Sequence, residues 1–196
     1  MNRFYVLLIA IVACLTGYAQ GDNEPVKFRG GMCIHSGYLA NKRTTEAVQG
    51  GCFGIGGKLS FTTGQYFRVG AEGYTSSLGY QNQDGYYKLN WGGLLMEYQL
   101  LHANKIYPVL GITLGGGKVE DMFFLPEDPE GIATDQIIFR EYPLLICTPS
   151  LSAEYRLKSK LTLLLRLDYI LPLFSEYTQD FAYGPRLYLG VLFNRR

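Results

Sequence analysis

Residues 161–171 of this 196-residue chain read LTLLLRLDYIL, and this stretch decides the predicted fold. Apolar residues alternate with other residues along it, which is the period of a β-strand with one apolar face. One face carries Leu161, Leu163, Leu165, Leu167, Tyr169 and Leu171, and the other includes Thr162, Arg166 and Asp168. Because charges interrupt the run, it cannot supply the roughly 20 apolar residues of a transmembrane helix.

Seven further segments show comparable patterns, so the chain is predicted to be all-β. The predicted strands cover 26–37, 50–61, 66–77, 86–99, 106–118, 142–156, 161–173 and 183–194. In the fifth, both faces are apolar or glycine, and we assign Leu110, Ile112 and Leu114 to the outward face. Each segment is long enough for the ~9–11 residues of a tilted membrane strand, whereas strands in soluble proteins typically have ~5–6.

The connections between these strands alternate in length. Short links are expected at 62–65, 100–105 and 157–160, and longer ones near 38–49, 78–85, 119–141 and 174–182. Membrane barrels show this asymmetry because periplasmic turns are tight whereas extracellular loops can grow. Outward aromatic residues collect near the short links, as an interfacial girdle would: Phe61, Phe67, Tyr98, Tyr155 and Phe193. We therefore predict an eight-stranded antiparallel up-and-down transmembrane β-barrel.

The composition and the N-terminus point to an exported protein. With 24 Gly, 16 Tyr, 11 Phe and a net charge of +1, the chain fits ordered β-structure and gives no reason to expect a nucleic-acid partner. Arg3, the apolar run 5–15 and the small residues Gly17 and Ala19 predict a signal peptide at 1–19, followed by a barrel domain at 20–196. A lipoprotein acylated at Cys14 stays an alternative.

The closing stretch 184–193, GPRLYLGVLF, resembles the final strand of the small OmpA/OmpX-type outer-membrane β-barrels. The resemblance extends over essentially everything after the signal peptide. It implies a place in the bacterial outer membrane, contact with outer-membrane lipid, and recognition of the last strand by the outer-membrane assembly machinery. It implies a fold rather than one activity, because such folds carry several unrelated functions.

The inward faces of the strands collect ionisable residues. They are Arg29, Lys58, Arg68, Glu72, Glu97, Glu154, Arg156, Arg166, Asp168 and Arg186. Inside a narrow barrel these charges must pair, because an isolated buried charge is costly. Since an eight-stranded interior is only just wide enough to be filled by side chains, a polar plug is favoured over a conducting pore.

The histidines are the starting point for an enzymatic alternative. Some barrels of the resembling group modify lipid A with a His-assisted nucleophile, and His35 is the candidate general base. Ser36 points to the opposite face, and no His/Ser/Asp spacing predicts a triad, so no catalytic residue is assigned. His102 is expected in a turn. Cys33 and His35 lack the further ligands of a structural zinc site, so neither a metal nor another cofactor is expected.

The first hairpin contains a possible cysteine pair, Cys33 and Cys52. Both have inward parity, and a hairpin centred near the middle of 38–49 would place them opposite one another. We expect the two side chains to be neighbours, with a disulfide as the weaker expectation. Cys147 is then an unpaired thiol of the sixth strand.

The third long loop is the first candidate for external contact, and a solvated acidic loop folded over the barrel mouth is the favoured alternative. It combines acidic residues with an apolar patch, Met122, Phe123, Phe124 and Leu125. The leading hypothesis is thus a non-enzymatic barrel with a structural or surface-interaction role and an unknown extracellular ligand or protein as its partner. The alternatives are a lipid A-modifying enzyme using His35, a narrow pore, and a lipocalin-like soluble lipoprotein that binds a small ligand.

Overall fold

The computed structural model describes residues 28–41, 48–63, 65–79, 85–100, 105–124, 137–158, 160–174 and 180–195. Its strands are β1 (Phe28–Ala40), β2 (Gln49–Thr63), β3 (Phe67–Gly79), β4 (Tyr86–Gln99), β5 (Ile106–Phe124), β6 (Ile137–Lys158), β7 (Leu161–Phe174) and β8 (Gly184–Arg195). The predicted signal peptide, His102 and Leu125 lie outside the described residues.

The eight strands close into a barrel in chain order, and the predicted fold class is confirmed. Each strand pairs antiparallel with its sequence neighbours, and β1 pairs with β8 from Phe28 opposite Arg195 to Gly37 opposite Arg186. Closure leaves no unpaired sheet edge. No helix in the described part of the chain has the length and apolar character needed to cross a membrane.

Side chains alternate between a largely apolar outer face and a buried inner face. Met32 and Phe193 on the outer face are 67% and 62% exposed, and the outward assignment of Leu110, Ile112 and Leu114 on β5 is confirmed. The neighbours of outward residues along each strand point into the barrel and are buried, as the period of two requires. The barrel therefore exposes aliphatic residues on its outer face and buries charged residues in its interior.

The predicted loop at 119–141 was wrong at both ends, because β5 and β6 extend into it. Val119 pairs with Tyr142, and Met122 pairs with Phe139. Val119 and Asp121 are both buried, so the inward alternation continues past the predicted end of the fifth strand. The acidic residues that indicated a loop are accommodated by the strand, since Glu120 forms an outer-face ion pair with Lys118.

The two ends of the barrel are distinguished by their connections. The turn end carries the connections 64–66, 100–105 and 159–160, and the loop end carries 41–48, 80–85, 125–136 and 175–183. Near the loop end, Phe181 and Ala182 are buried in the barrel core, where the Ala182 amide donates a hydrogen bond of 3.1 Å to the Tyr87 hydroxyl. Part of the last long connection therefore packs inside the barrel.

Candidate functional site

The charged interior of the barrel is the most distinctive site in the described residues. Toward the turn end, Glu154 on β6 accepts hydrogen bonds from three cations on β1, β2 and β3. Arg29 Nη1 lies 2.6 Å from its Oε2, Lys58 Nζ 3.3 Å from its Oε1, and Arg68 Nη1 2.9 Å from its Oε2. Because β6 lies across the barrel from these strands in the closed order, the pairs cross the interior.

A second carboxylate, Glu97 on β4, shares two of these cations. Lys58 Nζ lies 2.6 Å from Glu97 Oε1, and Arg68 Nη1 lies 3.8 Å from Glu97 Oε2. Arg68 also donates a 2.7 Å hydrogen bond to the Gln99 side-chain oxygen. The group near the turn end thus contains three cations and two carboxylates, connected by shared partners.

A second charged group lies nearer the middle of the barrel. Arg166 on β7 donates two hydrogen bonds to Glu72 on β3, one of them 2.8 Å long from Nη2 to Oε1. Arg166 also lies 3.4 Å from Asp168, which accepts a 2.9 Å hydrogen bond from Arg186 Nε. Thr113 donates a further hydrogen bond to Glu72. Two cations and two carboxylates balance here, as buried charges require.

Aromatic rings cover the second group on the side of the loop end. The Arg186 guanidinium lies 5.0 Å from the centre of the Trp91 ring and 5.5 Å from that of Tyr188. Tyr74 packs against both rings, at 5.2 Å and 5.0 Å between centroids. These distances are within the range of cation–π and aromatic contacts, so the rings hold the guanidinium in place.

The sequence parity placed Arg156 with the interior charges; the structure keeps its inward parity but leaves it outside the two buried charge groups. Its side chain is exposed at the turn end, where the guanidinium lies 4.8 Å from the centre of the Tyr107 ring. Arg156 is in register with Thr162 on β7, and both Thr162 and Tyr107 are buried in the interior, so Arg156 shares their inward face. The side chain is exposed because Arg156 lies two residues from the end of β6, at the mouth of the barrel.

His35 faces inward and has a partner that sequence reasoning missed. Its Nε2 lies 2.7 Å from the Ser76 hydroxyl oxygen, and both side chains are 1% exposed. Ser36 is exposed on the other face, as predicted. Gly54 is in register with both His35 and Ser76, so the pair meets across a position without a side chain. No local sequence motif predicts this contact. It could have been predicted only from the strand registers of two successive hairpins.

The cysteine pairing expected in the first hairpin was wrong. Cys33 lies opposite Gly56, and Cys52 lies opposite Gly37, so the two side chains do not face each other. Both are buried free thiols, in agreement with their inward parity. The ladder continues beyond the strands through Asn41, whose amide donates a 2.9 Å hydrogen bond to the Val48 carbonyl, and this contact sets a different register from the expected one. Cys147 on β6 is a free thiol between Leu114 and Leu171.

Three of the four residues of the predicted contact patch belong to β5, and the fourth, Leu125, lies outside the described residues. Met122 is half-buried on β5, and the backbones of Phe123 and Phe124 belong to the same strand. They pair with Ile138 and Ile137 on β6 rather than forming a loop. Among the residues that the structure describes, no group of three or more His, Cys, Asp or Glu side chains could hold a metal ion.

This architecture is that of the small OmpA/OmpX-type outer-membrane β-barrels, and the predicted resemblance is confirmed at the level of the fold. The chain superposes on Ail, the attachment invasion locus protein of Yersinia pestis, with a TM-score of 0.55 at 10% identity over 85% of this chain and 98% of that one. For Neisserial surface protein A the TM-score is 0.57 at 12% identity, over 87% and 99%. For OprG of Pseudomonas aeruginosa it is 0.53 at 13% identity, over 87% and 95%. No protein-family model matches the chain, and no curated protein matches it in sequence.

Proposed function

We propose that this chain is a non-enzymatic outer-membrane barrel with a structural or surface-interaction role. The observation that carries the proposal is the distribution of polarity, which is the reverse of that in a water-soluble protein: aliphatic side chains lie outside and paired charges lie inside. An outer face covered by exposed large apolar residues is unfavourable in water but matches the hydrocarbon region of a bilayer. A lipocalin-like soluble barrel would require the opposite parity, with its apolar residues around the internal ligand.

The outer membrane of a bacterium is the proposed location, after export through the signal peptide predicted at 1–19. Membrane lipid is the partner of the apolar face, and the alternating final strand is the proposed signal for the outer-membrane assembly machinery. The chain should stay in the outer-membrane fraction after alkaline carbonate washing and should migrate faster on a gel when unheated than when boiled. Release into the soluble fraction would refute membrane integration.

The lumen is proposed to be plugged rather than open. The two buried charge groups cross the interior, and the apolar residues toward the loop end include Leu39, Leu78, Tyr87 and Phe181. A continuous aqueous path would have to separate ion pairs that lie within hydrogen-bonding distance of one another. Planar-bilayer recording should therefore show no stable large conductance. Reproducible channels that carry small solutes would favour the pore alternative.

An enzymatic alternative is favoured by one observation, the contact between His35 and Ser76. The pair lacks two features of a hydrolytic site. Its atoms are closed off from solvent, and His35 Nδ1 has no hydrogen-bond partner among the described residues that could orient the ring. If expression of the chain changes the acyl content of lipid A, and His35→Ala abolishes the change while the barrel still assembles, the non-enzymatic proposal is wrong.

External contact is proposed for the loop end of the barrel. The Yersinia pestis protein Ail, which shares the fold, has been solved in complex with the heparin analogue sucrose octasulfate. A barrel of this fold can therefore bind a sulfated ligand. Deletion of residues 126–135 should abolish binding of intact cells to an extracellular ligand, while heat-modifiable migration stays unchanged. Full binding by the deletion variant would exclude this loop as the contact site.

A further inference from the structure

Exposed charge is distributed unequally between the two ends of the barrel. At the turn end, the charged side chains that the structure describes as exposed are Lys105, Arg156, Lys160 and Arg195. The carboxylates at that end, Glu97 and Glu154, are both buried in the interior network. At the loop end, by contrast, the exposed cation Lys118 lies 2.9 Å from Glu120 and 3.3 Å from Glu141. Within the described part of the chain, the exposed cation Lys118 is thus paired at the loop end, whereas four exposed cations collect at the turn end.

The four exposed cations form one patch on consecutive strands. The Arg156 amide donates a 2.9 Å hydrogen bond to the Lys105 carbonyl, which places these two residues side by side on β5 and β6. The amide of Asn194, the residue before Arg195, donates a bond of the same length to the Lys160 carbonyl. The patch, which we call the basic rim, therefore runs from β5 to β8.

The basic rim borders directly on the apolar outer face. Exposed Tyr155 and Leu157 flank Arg156, Ile106 follows Lys105, and Phe193 precedes Arg195 by two residues. In a membrane, aromatic residues occupy the interface, and long cationic side chains keep their stems against apolar surface while the charged ends reach the headgroups. With the apolar face embedded in lipid, this position would place the four cations near the height of the lipid phosphates.

We propose that the basic rim binds anionic phospholipid headgroups of the leaflet at the turn end, through their phosphate groups. The inference rests on the proposed function, since it requires the apolar face to be embedded in lipid. Clustered Lys and Arg beside a membrane surface attract anionic lipid, and the attraction is screened by salt. The ion pairs of Lys118 leave the loop end without a comparable free patch in the described residues.

The test uses the full barrel refolded into phosphatidylcholine vesicles that contain spin-labelled phosphatidylglycerol or spin-labelled phosphatidylcholine. Electron paramagnetic resonance then measures which lipid is immobilised at the protein surface. We expect phosphatidylglycerol to be preferred by about twofold or more at low salt, and the preference to be lost near about 0.5 M salt. The variant with Lys105, Arg156, Lys160 and Arg195 all changed to Gln should show no preference.

A matched pair of double variants assigns the effect to one end of the barrel. Lys105→Gln/Lys160→Gln should reduce the preference by about half, whereas Lys88→Gln/Lys118→Gln should leave it unchanged because Glu120 already neutralises these lysines.

An unchanged preference in the fourfold variant, or equal losses in the two double variants, would overturn the proposal. The proposal would also be overturned if the barrel showed no lipid preference but cosedimented with peptidoglycan, and if the fourfold variant lost this cosedimentation. The partner of the basic rim would then be a carboxylate polymer. Heat-modifiable migration is measured first and separates failure of this proposal from failure of the proposed function. A barrel that does not integrate into the vesicles refutes the proposed function as well.

Discussion

Arg166 on β7 and Glu72 on β3 face each other across the interior of the barrel, with 2.8 Å between Nη2 and Oε1. Both side chains are fully buried, and Glu72 also accepts a hydrogen bond from Thr113. A buried charge that loses its partner is destabilising, whereas a buried pair replaced by apolar groups is often nearly neutral. Loss of one partner should therefore destabilise the barrel more than replacement of both partners by apolar side chains.

Removal of one charge of this pair should weaken the barrel strongly. We expect Glu72→Gln to lower the free energy of unfolding by about 3–5 kcal/mol, because the Arg166 guanidinium loses its closest carboxylate. Urea unfolding in lipid vesicles measures the change. Glu141→Gln, which removes an exposed partner of Lys118, is the control and should cost about 1 kcal/mol or less. Equal effects of the two substitutions would contradict this account.

Removal of both charges should cost less than the two single changes together. Glu72→Leu and Arg166→Met each leave a buried charge with one partner fewer, whereas the double variant replaces the pair by apolar groups. We expect a coupling energy of about 2 kcal/mol or more in the double-mutant cycle, within the range for residues in direct contact. Additivity to within about 0.5 kcal/mol would show that the two residues do not act as a pair.

Gly54 should be intolerant of a side chain, because a Cβ there would collide with the His35 ring and the Thr75 carbonyl oxygen. Gly54→Ala is expected to destabilise the barrel by about 1–3 kcal/mol, as overpacking of a filled core does. Gly73→Ala is the matched control, since its Cβ would lie 3.5 Å from the Trp91 carbonyl oxygen on the lipid-facing side. Both are measured by urea unfolding in vesicles, and a larger effect at Gly73 would refute the inward placement of His35.

Cys33 and Cys52 should stay reduced and unreactive in the folded barrel. The register separates the two thiols, and both are buried in the interior. We expect a polar maleimide to modify neither residue before unfolding, and both afterwards, in a Cys147→Ser background. Mass spectrometry counts the added groups. A mass lower by two hydrogen atoms, restored by reductant, would show a disulfide and contradict the register.

Sequence reasoning predicted the barrel because every strand carries its own apolar face with a period of two. In 161–171 the alternation alone separates Leu165 and Leu167, which are exposed, from Arg166 and Asp168, which are buried. This information is local, since neighbouring side chains of a strand point to opposite faces whatever the strand pairs with. The number of strands, the alternation of short and long connections, and the inward direction of most charges followed from the same local pattern.

The partners of those side chains were decided only by the tertiary structure. A shift by an even number of residues in a hairpin keeps every parity but changes every cross-strand neighbour. Cys33 lies opposite Gly56, four residues from the expected partner, which is why Cys33 and Cys52 were correctly directed inward and wrongly paired. The contact of His35 with Ser76 depends on two such registers, and the exposure of Arg156 depends on its place at the mouth of the barrel. The sequence by itself determined which residues face lipid and which face the interior, whereas ring closure and register decided which charges meet, because those contacts join strands that are distant along the chain.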